Sequence, residues 1–202
     1  MFGFGKRKIA SDDFGMMFIS EAFNSINGLS LFFAHNIDGF FSGDTVPKVN
    51  GFLNDNGFGE RDRLAFTCAY AEVLSKMLLE WSRNSNAMTV YLSATFQISD
   101  AIKNNNINLD VSALNKNVEN ILRNNQLFSN DRLFFKGSDH FDEMGVYSQL
   151  SKYLYDMHIS KNEMIHKICS ENFQDYQTAL FNCFNRAVKS VDSMFANYKV
   201  AT

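Results

Sequence analysis

The sequence predicts an all-α fold, an irregular multi-helix bundle of about six or seven helices, and three observations predict it. Apolar residues recur at steps of three and four along most of the chain, capping residues stand ahead of several of these runs, and glycine and proline gather in one stretch. With 202 residues, 46% of them apolar, the chain is long enough for a single domain, residues 1–202, with its own core.

Ser11, followed by Asp12 and Asp13, reads as an N-cap with acids in the first turn. Phe14, Met17, Phe18, Ala22 and Ile26 then line one face of a helix until Asn27 and Gly28. Leu29, Phe32, Phe33, Ile37 and Phe40 continue the stripe in a second helix to about residue 41. Residues 42–60 read as a long Gly/Asn-rich surface loop, because Gly43, Pro47, Gly51, Gly57 and Gly59 interrupt every period. A connection of that length inside a compact domain is uncommon unless it is functional. Its Phe52, Asn54, Asp55, Asn56 and Phe58 are therefore the expected partner-binding residues.

Residues 61–83 predict the central, most buried helix, apolar except for a stripe of Glu72, Lys76, Glu80 and Arg83, expected to form ion pairs along an exposed face. Residues 88–99 carry two competing periods. Met88, Val90, Leu92, Ala94, Phe96 and Ile98 alternate as in a short strand, whereas Met88, Tyr91, Leu92, Thr95, Ile98 and Ile102 fit a helix, which is the preferred reading. Asp110 caps a helix with the seam Val111, Leu114, Val118, Ile121 and Leu122. Ser138 begins another, with Met144, Tyr147, Leu150, Leu154 and Met157, and Ser160 to Glu163 in spacing resembles a capping box that restarts the chain. From Phe173 to Tyr198, apolar residues step by 3, 4, 4, 3, 4, 4 and 3, the clearest helical stripe of all.

The formal charge is −3, and Lys6, Arg7 and Lys8 form the one basic run, so no face suited to concentrating phosphates is expected and nucleic acid is an unfavoured partner. No apolar run approaches the ~20 residues of a membrane span. Cys68, Cys169 and Cys183 lie inside apolar helical patterns without metal or redox spacing, and no secretory leader pattern follows the basic run. A reducing, cytoplasmic location is expected.

Chemistry-bearing motifs are sparse. Glu163 and His166 stand at the i, i+3 spacing with which helices present two metal ligands, and His140 with Asp139 offers a second candidate pair. Each has a simpler use: Glu163 as the capping-box acid, Asp139 as a first-turn complement to a helix dipole. His166 stands three before Cys169, but no helix N-terminus or cationic cluster is apparent there to activate the thiol, and Gly57-Phe58-Gly59 lacks the rest of a nucleotide loop. The expected function is that of a helical protein-interaction or regulatory protein, an inhibitor, adaptor or accessory subunit without catalytic activity and with no cofactor. The alternative is a helical domain holding a small apolar ligand or a metal in its interior. A homodimer through residues 173–198 or 88–99 is a further option.

Overall fold

In the computed structural model, which describes residues 6–37, 45–81, 86–124 and 141–201, the chain is an all-α multi-helix bundle with one short sheet. The order is β1 (Arg7–Ala10), α1 (Ser11–Ile26), α2 (Leu29–Asn36), α3 (Thr45–Asp55), α4 (Glu60–Trp81), α5 (Ala87–Asn104), α6 (Val111–Asn124) and α7 (Phe141–Leu154). A π-helical turn (Tyr155–Ile159), α8 (Glu163–Glu171), α9 (Phe173–Asn197) and β2 (Tyr198–Ala201) complete it.

The sheet was not legible in the sequence. β1 and β2 pair in parallel, Ile9 beside Val200, and the Lys6 ammonium donates to the Phe195 carbonyl at 2.9 Å. This pairing holds Ala10 extended, so the helix begins on Ser11 itself and the expected Ser11 cap does not form. Asp12 and Asp13 still lie in the first turn, where they complement the positive end of the helix. α1 and α9 run antiparallel: Phe14 packs on Phe195 with ring centroids 4.9 Å apart, Ser190 donates to Glu21 at 2.7 Å, and a Cβ on Gly28 would lie 3.0 Å from the Cys183 sulfur.

Residues 42–60 are not the loop that their composition suggests, since α3 fills most of them. Val49 and Leu53 are buried and Phe52 is half-buried, an apolar face at helical spacing. Pro47 falls in the first turn, where a missing N–H costs no hydrogen bond. The helix stops because Gly57 turns left-handed (φ 77°). Its N–H then donates to the Asn54 carbonyl at 3.0 Å and that of Phe58 to the Leu53 carbonyl at 2.8 Å, a Schellman closure in which the following apolar residue tucks inward. α5 ends the same way, with Asn106 left-handed (φ 49°), its N–H on the Lys103 carbonyl and that of Ile107 on the Ile102 carbonyl.

α4 is enclosed on every side: residues 68–78 are all buried, against α1, α5, α6, α7 and the π turn. Residues 88–99 are helical, and the structure explains their double period. Val90, Ala94 and Ile98 form an inward stripe, while Met88, Leu92 and Phe96 form an outward one on the same helix, so the two together imitate strand alternation. Asp110 caps α6 as expected, accepting from the Ala113 N–H at 2.9 Å. The cap of α8 is Asn162 rather than Ser160; its Oδ1 accepts from the Ile165 N–H at 2.9 Å, whereas the Ser160 hydroxyl turns back to the Asp156 carbonyl. The α9 stripe is consumed inside, with Tyr176, Leu180, Phe184, Ala187, Val191 and Phe195 all buried.

α1 and α5 pack closely where Gly15 meets Ser93, and a Cβ on Gly15 would stand 2.2 Å from the Ser93 hydroxyl oxygen and 2.7 Å from its Cβ. Gly15→Ala is therefore expected to force the helices apart and lower stability by ~1–3 kcal/mol, read as a shift in the urea midpoint. Adding Ser93→Gly removes both clashing atoms and should restore most of the loss; an unshifted midpoint in the single variant would show that the helices are not locked at this crossing.

Candidate functional site

The five residues expected to bind a partner lie on the last turns of α3 and just beyond it, and most are spent on holding that turn. The Arg63 guanidinium donates to Asn54 Oδ1 at 2.8 Å and to the Phe58 carbonyl at 2.9 Å. The Asn56 side chain donates to the Phe52 carbonyl, and its own carbonyl accepts from Asn162 Nδ2 at 2.8 Å. Phe58 is buried and Asp55 is exposed. The segment is thus bolted to α4 and to the cap of α8.

Of the metal candidates, His140 and Asp139 lie outside the described residues. Glu163 and His166 are exposed on α8, and His166 Nδ1 is hydrogen-bonded to the Tyr155 hydroxyl. Among the described residues, no group of three or more His, Cys, Asp or Glu side chains could hold a metal ion. The three cysteines are buried thiols. Burial pushes Cys68 and Cys183 up to about 11 and Cys169 up to about 12, the reverse of what a nucleophile needs.

Glu72 and Lys76 do not form the exposed stripe that their spacing suggests. Glu72 is fully buried and Lys76 nearly so, because α5 and α6 cover the face of α4 that carries them. The Glu72 carboxyl accepts from Asn115 Nδ2 at 2.7 Å and from the Thr95 hydroxyl at 3.2 Å. Burial raises its pKa above the ordinary carboxylate value, opposed by those two donors and by the charge of Lys76. Lys76 stands 3.6 Å from Glu119 and 5.7 Å from the centre of the Tyr91 ring. Asn115 Oδ1 is buried and finds no partner. This network ties α4, α5 and α6 together through polar groups, and charge spacing alone carried no signal of its burial.

The second polar focus is the π turn. His158 packs edge-on against Phe66, ring centroids 5.8 Å apart, and its Nε2 is buried without a partner. Burial first, and then the charge of Lys161, lower its pKa to about 4 against the opposing charge of Asp62. Beside it lies a cleft of about 330 Å³ walled by both Schellman turns, Gly57 and Phe58 from one, Asn106 and Ile107 from the other. Arg61, Asp62, Lys161 and Asn162 supply its polar lining. The sequence reading carries one helical stripe through Met157; the π turn that places His158 here breaks the period by one residue and leaves no local mark.

The third feature is an apolar surface. Met88, Leu92 and Phe96 are 53, 60 and 65% exposed, in three successive turns of α5. Met16, beside the Gly15 crossing with Ser93, is half exposed on α1. No helix among the described residues is long and apolar enough to cross a membrane. No protein-family model matches the chain, and neither a curated protein nor a solved structure matches it.

The low pKa of His158 fixes the sign of a pH effect. A depressed folded-state value means that the unfolded chain takes up the proton first, so the neutral ring's stabilisation is complete above the unfolded value of 6.5 and is lost as pH falls toward 4. Between pH 7 and pH 5 the loss should be on the order of 1–2 kcal/mol in urea unfolding. Glu72, with its pKa raised, acts in the opposite sense, so the difference between wild type and His158→Gln isolates the histidine. Parallel pH profiles for the two proteins would refute the assignment.

Proposed function

We propose that this chain is a helical protein-interaction or regulatory protein, an inhibitor, adaptor or accessory subunit, that docks an uncharged apolar helix of another protein on the outer face of α5. The observation that carries the reading is the exposed stripe Met88, Leu92 and Phe96, whereas the apolar stripe of α9 is buried. Contiguous exposed apolar side chains at i, i+4 and i+8 are the form in which one helix receives another. Residues 87–99 contain no charged side chain, so a charge on the partner's face would lose water on docking and meet no counter-charge.

The dimensions also favour a single crossing helix over a second copy of the chain. The stripe spans ~12 Å along α5. Its three side chains supply a patch of a few hundred Å², below the ~800 Å² per partner that a stable dimer buries. Methionine at one end adds an adaptable contact suited to a partner that comes and goes.

A photo-crosslinking phenylalanine analogue at position 96, introduced in cells that naturally make the chain, tests the proposal. The expected result is one dominant adduct with one other protein, mapping to a helical segment whose facing residues are uncharged. It should be lost on adding Leu92→Glu and absent when the analogue sits at the exposed position 171 on α8. No adduct, the same adduct from position 171, or an adduct only with a second copy would overturn it. Leu92→Glu and Phe96→Glu should each move folding stability by no more than about 0.5 kcal/mol, since both side chains already face water.

A further inference from the structure

The cleft beside the π turn has the composition of a ligand site, and its chemistry is independent of the α5 surface. Its volume of about 330 Å³ lies at the lower end of the ~300–1,000 Å³ range of small-molecule pockets. Phe58, Ala65, Ile107 and Met157 supply its apolar lining. Arg61 and Lys161 line it with a single acid, Asp62, a formal charge of +1 with His158 neutral. The carbonyl groups that end α3 and α5 do not offset that charge with bare oxygens, because those of Leu53, Asn54, Ile102 and Lys103 already accept the closing N–H bonds of the two turns. The Asp62 carboxylate is itself engaged by the Gly59 N–H at 3.0 Å. Arg61, in the first turn of α4, and Lys161, between the π turn and α8, are both exposed.

We infer that this cleft binds a small organic carboxylate with an apolar body, the carboxylate held by Arg61 and Lys161 and the body laid against Phe58, Ile107 and Met157. Guanidinium and ammonium donors bind carboxylates through charge-assisted hydrogen bonds, stronger than neutral ones. The closed turns wall the cleft with backbone that has little freedom left to lose, so little ordering opposes binding. His158 is the reporter of occupancy. The charged groups acting on it are Lys161, which disfavours its proton, and Asp62, which favours it, and Arg61 lines the same cleft. From the adjoining helices, Lys152 is paired with Asp156 at 2.8 Å and His166 with Tyr155. Burial is the larger cause of His158's low pKa, but a carboxylate beside Lys161 offsets the part contributed by that charge and so shifts the histidine's titration upward.

Titration of the full chain with benzoate, followed by NMR of the His158 ring, tests the assignment. The expected result is saturable binding of one benzoate, movement of the His158 signals and a rise in its titration midpoint. Arg61→Gln and Lys161→Gln should each weaken binding at least about tenfold. Lys167→Gln, on the exposed face of α8, should leave it unchanged. Acetate, which has the head but no body, should bind more weakly than benzoate. Absence of saturation, unchanged affinity in both cleft variants, or inorganic phosphate binding as tightly as benzoate would overturn the inference. Because none of these outcomes touches Leu92 or Phe96, failure here leaves the docking proposal standing and the reverse also holds.

Discussion

The structure depends on the enclosure of α4. A helix buried on all faces must be apolar all round or must bring partners for every polar group it carries, since an unpaired ionised side chain in such a place is among the most costly arrangements in a protein. α4 takes the second course at Glu72 and Lys76. Asn115 and Thr95 supply donors to Glu72, while Glu119 and the Tyr91 ring receive Lys76, so α5 and α6 are required on one flank. The hydrophobic effect alone would accept many ways of sliding these helices past one another. Directional bonds to one buried carboxylate accept few, and this is how a core of interchangeable aliphatic and aromatic side chains gains a register.

With that flank fixed, the position of α5 has consequences on both of its faces. Its inner stripe, Val90, Ala94 and Ile98, closes over α4, and Ser93 comes so near α1 that only a glycine fits opposite. Its outer stripe is then left facing outward with nothing described above it. An apolar residue on a core helix that has no core left to enter is an unusual use of methionine, leucine and phenylalanine, and here three of them stand in consecutive turns. The same fixed position sets the Asn106 turn against the α3–α4 turn, and so forms the cleft beside His158.

Several elements were legible because their signals are local. The periods of α1, α4, α6 and α9 are set by which residues the chain can bury on one face, and the Asp110 cap by a side chain three residues from the N–H it accepts. Where the sequence reading and the structure part, a distant segment intervened. Ser11 lost its cap to β2, almost 190 residues away, and Ser160 lost its cap to Asn162, which also reaches Asn56. Residues 45–55 looked like loop because their glycine, proline and asparagine content masks the spacing of their apolar residues, yet Val49, Phe52 and Leu53 gain enough by packing to make them helical.

The sequence by itself determined the class of the fold, since helical period, the scarcity of proline and the placing of caps are properties of neighbouring residues. It could not determine which polar stripe would be covered or which apolar stripe would be left bare. Glu72 and Lys76 repeat like a solvent face and are buried, while Met88, Leu92 and Phe96 repeat like a core face and are exposed. Periodicity establishes that a helix has two sides; only the helices packed around it decide which side meets water.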